Sequence, residues 1–179
     1  MSRLPTITRE KLSGEDQLIW DRVMSGRSGT GGPFGALIHV PRLAERIAAI
    51  ENYFRSEGAL PAADRELIIL ATARELGAHF PWTRHEIRGR EAGLRSETIE
   101  TLRTNESLAS LTSHERLLVE IVRSLLRERR LSDELFSRGL ADMGPEQLVE
   151  IVALIGHYSL IASVVNAFDI QAPAGTATF

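Results

Sequence analysis

Apolar positions recur at three- and four-residue intervals along most of the chain, with no sustained alternation and no Asn-Gly or Asp-Gly hairpin turn. The pattern predicts an all-α fold of about eight helices. An extended arm, residues 1–13, leads into a first helix, Gly14 to Met24, built on Leu18, Ile19 and Val23. Residues 25–35 carry five glycines and Pro33 and read as a loop, long for a small bundle and of the kind that often serves function. A second helix spans about Pro41 to Ser56, proline being suited to its first turn. The third opens at Ala62 or Asp64 and closes near Gly77, a natural C-terminal cap. Pro81 starts a fourth that ends at Gly93, and Ser96 with Glu97 begins a short fifth. Thr112 and Glu115 make a capping-box signature for a sixth, Ser113 to Arg129. Ser132 caps a seventh, and Pro145 sits in the first turn of the last, which reaches about Phe168. The tail, residues 171–179, is small and polar, and mobility is expected of it. No repeat or linker interrupts the pattern, so residues 1–179 are expected to form one domain.

Composition narrows the chemistry. With 43% apolar and 25% charged residues in 179, the chain can bury an ordinary core. A net charge of −3 lacks the basic excess of a nucleic-acid binder. There is no cysteine, which excludes disulfides, thiolate metal sites and thiol redox chemistry by the chain's own residues. The five histidines show no HExxH or similar spacing, so no metal site is expected. The loop GRSGTGGPFG shares only glycines with a phosphate loop: it lacks the Gly-Lys-Ser/Thr ending and a preceding strand. The most apolar stretch, Ile151 to Phe168, is broken by Gly156, His157, Ser159, Ser163 and Asn166, and reads as a core helix rather than a membrane span. Met1 to Lys11 hold no apolar run of signal-peptide length. A cytoplasmic location without membrane or nucleic-acid partners is the expectation.

On a wheel of 100° per residue, Glu66 shares its stripe with Ile69, Leu70, Ala73 and Gly77, in a helix apolar almost all round. A carboxylate there must be paired or protonated. Burial would raise its pKa toward the range of acid–base work; the alternative is a structural ion pair with an arginine. His85 shares a stripe with Trp82, Gly89 and Ala92, which offers a flat apolar wall and room for a ligand. Its imidazole can give or take a proton near neutrality, although a lone core histidine is more often just hydrogen-bonded. His157 and Asn166 read as groups that satisfy buried backbone or line a helix interface. His39 is placed to cap the second helix, and His114 falls in an exposed first turn.

The segment RELIILATARELGAHFPWTRHEIRGREAGL, Arg65 to Leu94, resembles the core of the carboxymuconolactone decarboxylase and alkyl hydroperoxidase D-like superfamily. Glu66 matches that core's early glutamate and His85 its histidine, and Ala92-Gly93-Leu94 closes the motif. GPFGALIHVP, LTSHERLLVEIVRSLLRERRLSDELF and GHYSLIASVVNAF extend the likeness over most of the chain. The peroxidase branch carries a Cys-x-x-Cys pair where Ala78 and Pro81 stand here, so the resemblance implies the thiol-free branch. It implies a cofactor-free lyase that decarboxylates a small unsaturated lactone or keto acid, in the manner of aromatic catabolism. His85 would be the general acid–base and Glu66 its proton carrier or orienting group. Trp82 and Phe34 would form apolar walls beside residues of the Gly31–Leu37 loop. Arg88 or Arg84 would meet a substrate carboxylate, although both diverge from the His85 stripe by at least about 60°. The alternatives are another proton-transfer or hydrolytic enzyme, and a silent ligand-binding or assembly module. The resemblance also implies a homo-oligomer, a trimer or hexamer.

Overall fold

The computed structural model describes residues 2–27, 29–105 and 107–179. Met1, at the head of the expected arm, Ser28, inside the glycine-rich loop, and Glu106 lie outside the described residues. The eight helices are α1 (Gly14–Met24), α2 (Pro33–Leu37), α3 (Pro41–Ser56), α4 (Ala62–Glu75), α5 (His79–Glu91), α6 (Ser96–Thr104), α7 (Ser113–Arg123) and α8 (Asp133–Ala167), with no strand among the described residues.

Helix α4 is the centre of the bundle. Every side chain from Glu66 to Ala73 is buried, which is what a helix apolar on all faces requires. Helices α5, α7 and α8 pack around it. The turn from α4 into α5 is fixed by its caps. Gly77 takes a φ of 63°, the Ala78 amide donates to the Ala73 carbonyl and the Gly77 amide to that of Arg74. This is the Schellman arrangement, and glycine enters it without the Cβ clash of other residues. Gly93 ends α5 in the same way, with the Leu94 amide on the Gly89 carbonyl. The predicted capping box is present: Thr112 and Glu115 exchange hydrogen bonds at the start of α7. That helix continues through a π-turn, Ser124–Glu128.

Two features, the start of α2 and the course of the tail, differ from the sequence pattern. A short helix, α2, sits within and beyond the expected loop, with Pro33 at its start. The two final helices expected from the sequence run together as α8 but are separated by the non-helical Gly144 (φ 75°, ψ 174°), which leaves Pro145 in the first turn of the second. The tail is folded back rather than free of the body: the Phe179 ring stacks on His79 with centroids 4.4 Å apart and meets Trp82 edge-on at 5.1 Å. Helix α8 is long and apolar enough to cross a membrane by composition, but it is mostly buried in the fold.

Most polar groups drawn into the core are partnered, His157 being an exception. Glu150 on α8 accepts the Ala59 and Leu60 amides and the Tyr53 hydroxyl (2.6 Å), and so holds the loop that enters α4. Glu75 pairs with Arg123 and Arg127. His114 is not a free surface group: its Nε2 lies 3.0 Å from Asp64 and its Nδ1 2.6 Å from Asp142. His39 does not cap α3. Its ring contacts the Pro5 carbonyl (3.0 Å) instead, and the N-cap position belongs to Val40. Asn166 donates to the Leu76 carbonyl, as expected of a group that satisfies helix-end backbone. His157 is buried, with no partner for Nε2 among the described residues.

Candidate functional site

Helices α4 and α5 approach closely enough that a Cβ on Gly89 would lie 3.6 Å from the Glu66 Cβ. The Schellman turn between them sets their register, and Glu66 and His85 then face each other. His85 Nδ1 is 2.6 Å from Glu66 Oε2. On the other side of the ring, His85 Nε2 is 3.0 Å from the Tyr158 hydroxyl of α8. Arg65 Nε lies 3.4 Å from the other Glu66 oxygen, so the ion pair with an arginine and the pair with histidine coexist. Glu66, His85 and Tyr158 are all buried.

Burial by itself raises the Glu66 pKa, as the sequence suggests. The hydrogen bond and charge of His85, with Arg65 and Arg88, outweigh that cost and hold the carboxyl below its ordinary value. The expectation of a raised glutamate is therefore corrected, because its partners could not be read from its burial. Burial pushes His85 the other way from protonation: its pKa is lowered, with Glu66 opposing and Arg88 reinforcing the shift. Burial raises that of Tyr158 above the usual phenol range. An ionised carboxylate only accepts, so His85 carries its proton on Nδ1 and donates to Glu66. Nε2 then offers its lone pair, and the Tyr158 hydroxyl donates to it.

Two cavities flank this chain of hydrogen bonds. One, of about 340 Å³, is bounded by α3, α4, α5 and α8 and reaches Glu66, His85, Tyr158, Arg65 and Arg88. The other, of about 400 Å³, lies toward the glycine-rich loop and reaches His85, Tyr158, Arg27, Arg55, Arg84 and Arg88. His85, Arg88, Tyr158, Glu51 and Arg55 border both. Gly31, Gly32, Pro33 and Phe34 line the second, where the Arg27 guanidinium stacks 3.9 Å over the Phe34 ring. The tail contributes Gln171 and Pro173 to the same wall.

The sequence candidates therefore separate. Glu66 and His85 meet. Phe34, Arg84 and Arg88 border the second cavity, the long arginine side chains overcoming the angle between their stripe and that of His85. Among the described residues neither Arg84 nor Arg88 makes an ion pair or side-chain hydrogen bond. Trp82 does not line either cavity, which corrects its assignment as a substrate wall. It is fully buried, its indole N–H donates to Glu86 (3.1 Å), and Phe179 and Arg103 cover its faces. Tyr158, Glu51, Arg55 and Arg27 were missed. A signal existed for Tyr158: a phenol among Leu154, Ile155, Ile161 and Ala162 on the buried face of α8 needs a partner for its hydroxyl. No group of three or more acidic or histidine side chains suited to a metal occurs among the described residues.

Comparison with known proteins bears on the fold. The model of the carboxymuconolactone decarboxylase family matches residues 41–124, which run from α3 to the end of α7. A protein of unknown function from Agrobacterium tumefaciens, described as a candidate antioxidant defence protein AhpD, is 25% identical. It superposes with a TM-score of 0.69 over 76% of this chain and 94% of that one. An uncharacterized peroxidase-related protein from Ralstonia eutropha JMP134, with an alkylhydroperoxidase AhpD core, shares the fold: TM-score 0.78 at 17% identity, over 97% of this chain and 93% of that one. No curated protein sequence matches the chain. The matched segment carries both Glu66 and His85 in helices whose packing is the AhpD-like bundle, and over residues 41–124 the chain is similar to the carboxymuconolactone decarboxylase family.

Proposed function

We propose that the protein is a lyase of the carboxymuconolactone decarboxylase kind, removing carbon dioxide from a small, anionic, unsaturated lactone or keto acid. The observation that carries this reading is the buried Glu66–His85 pair bordered by two arginine-lined cavities. A sealed pair would favour a silent module; here cavities reach both side chains. Decarboxylation leaves an electron pair on carbon. The site has to hold the anion, stabilise the developing charge and supply a proton. Arg84 and Arg88 supply the positive charge, and arginine meets carboxylates with two parallel hydrogen bonds. Glu66 fixes the tautomer of His85 and stabilises its protonated form. The test is a screen of carboxylated lactones and keto acids for carbon dioxide release by the wild type and by His85→Ala. Release that His85→Ala matches would remove the reading.

A second reading is a proton-transfer isomerase on the same class of compound, and the lowered His85 pKa favours it, because a neutral imidazole is a ready base. Thiol-dependent peroxide reduction is not proposed: Ala78 and Pro81 stand where the peroxidase branch has its cysteines, and the chain has none. The exposed apolar side chains Leu43, Ile50, Tyr53, Val149, Val152 and Leu160 support the homo-oligomer, a trimer or a multiple of it. A monomeric mass by light scattering at micromolar concentration would remove it.

A further inference from the structure

We propose that the hydroxyl of Tyr158, rather than the imidazole of His85, exchanges the proton with the substrate, and that His85 acts through it. The proposal rests on reading the site as one of proton transfer, whichever carbon acid is turned over. Both ring nitrogens of His85 are engaged, Nδ1 with Glu66 at 2.6 Å and Nε2 with the Tyr158 oxygen at 3.0 Å. A substrate atom could bond Nε2 only by displacing that hydroxyl.

Displacement is opposed by packing. The Tyr158 ring stands at 88° to His85 and 85° to His157, with centroids 5.0 and 5.3 Å away, and the residue is only 7% exposed. It borders both cavities together with Arg55 and Arg88. A hydroxyl held by a rigid ring beside two guanidinium groups is a preorganised proton donor and acceptor.

The proton balance closes in both directions. In abstraction, the substrate C–H proton passes to the Tyr158 oxygen as the phenolic proton passes to His85 Nε2. This leaves a substrate anion, a neutral tyrosine and an imidazolium paired with Glu66. In decarboxylation, the C–C electron pair stays on carbon as carbon dioxide leaves. The Tyr158 proton goes to that carbon and the Nε2 proton of an imidazolium refills the phenol. The one proton that the net reaction consumes then comes from bulk solvent and restores the imidazolium.

Tyr158→Phe keeps the ring and removes only the oxygen, so the packing against His85 and His157 survives; circular dichroism and thermal melting confirm folding. The binding probe is oxalate, a planar dianion with the shape of an enolate. Wild type should bind it, and Tyr158→Phe should weaken binding about 10- to 100-fold, the worth of a hydrogen bond to a charged group. On any substrate the screen yields, Tyr158→Phe should lower kcat by about 10²-fold or more and abolish the dependence of kcat/KM on the His85 titration. A merely structural tyrosine would move the melting temperature and leave the pH profile intact. Tyr158→Phe with wild-type oxalate affinity, or wild type that does not bind oxalate, overturns the proposal. Tyrosine-dependent oxalate binding without carbon dioxide release retires the lyase reading and leaves Tyr158 in its role. Release retained by Tyr158→Phe does the reverse.

Discussion

Glu66 Oε2 and His85 Nδ1 lie 2.6 Å apart across the α4–α5 contact, nineteen residues distant in the chain. The hydrogen bond places the ring proton on Nδ1 and leaves the Nε2 lone pair to the Tyr158 hydroxyl. It also separates the effects of two substitutions. His85→Ala removes the proton path, and turnover should fall by about 10²–10⁴-fold, the usual contribution of a positioned acid–base group. Glu66→Gln keeps a carbonyl that can accept from Nδ1 but removes the charge that stabilises the imidazolium. Its loss of turnover should be of the same order, with substrate affinity little changed. Steady-state kinetics check this, and unimpaired kcat in either variant would detach the pair from catalysis.

Arg84 and Arg88 should separate by experiment. Arg84 is exposed at the second cavity, whereas Arg88 is half-buried between both and bears on the His85 charge. Arg84→Gln should raise KM for an anionic substrate by about 10-fold with little change in kcat, the signature of lost uniform binding. Arg88→Gln should lower kcat as well, since its positive charge borders the reacting groups. Equal effects on KM alone would make both arginines simple anchors.

The legible part of the site was its local geometry. Gly77 and Gly93 announce two Schellman caps, a tight turn makes α4 and α5 neighbours, and Glu66 and His85 fall on the faces that meet. What one helix cannot reveal is which distant element covers it. Trp82 shares a wheel stripe with His85, yet Phe179 and Arg103 arrive from far along the chain and seal it off. Tyr158 is 73 residues from His85 and meets it only because α8 crosses α4 and α5. The carboxylate of Glu66 shows the same division: its burial follows from the apolar helix, whereas its ionisation depends on partners set by tertiary packing. Pro33 at a helix start was a usable signal for α2, outweighed by the glycines around it.

His114 binds α7 to α4 and α8 through Asp64 and Asp142. Burial lowers its pKa, but the two aspartates overcome this and hold it above 6.5. A group raised in the folded state stabilises the fold fully below its unfolded pKa, and that stability is lost as pH rises through the folded value. The side chain is 39% exposed, so screening reduces the gain to that of a surface pair, about 0.5–1 kcal/mol. His114→Gln should therefore lower the melting temperature by about 1–4 °C at pH 6 and by less at pH 9. A deficit that grows toward alkaline pH would contradict the assignment.

The pH profile of turnover distinguishes the lyase from the isomerase. His85 is faced by Glu66 and Arg65 from α4, Arg88 from its own helix, Glu51 and Arg55 from α3, and Tyr158 from α8. Burial and Arg88 lower its pKa, Glu66 and Glu51 raise it, and the net direction is down from 6.5. Decarboxylation ends by giving a proton to carbon and starts from the imidazolium. Its kcat/KM should fall as pH rises, with an inflection below 6.5. Abstraction starts from the neutral ring, and its kcat/KM should rise through the same inflection. The charges around the ring supply a control that identifies the titrating group. Arg88→Gln removes a lowering influence and should move the inflection up in pH, whereas Glu66→Gln removes a raising one and should move it down. Opposite displacements assign the inflection to His85, because a group far from both residues would shift with neither. An inflection displaced the same way by both substitutions, or by neither, would show that His85 is not the proton-carrying group, and the lyase and isomerase readings would fall together.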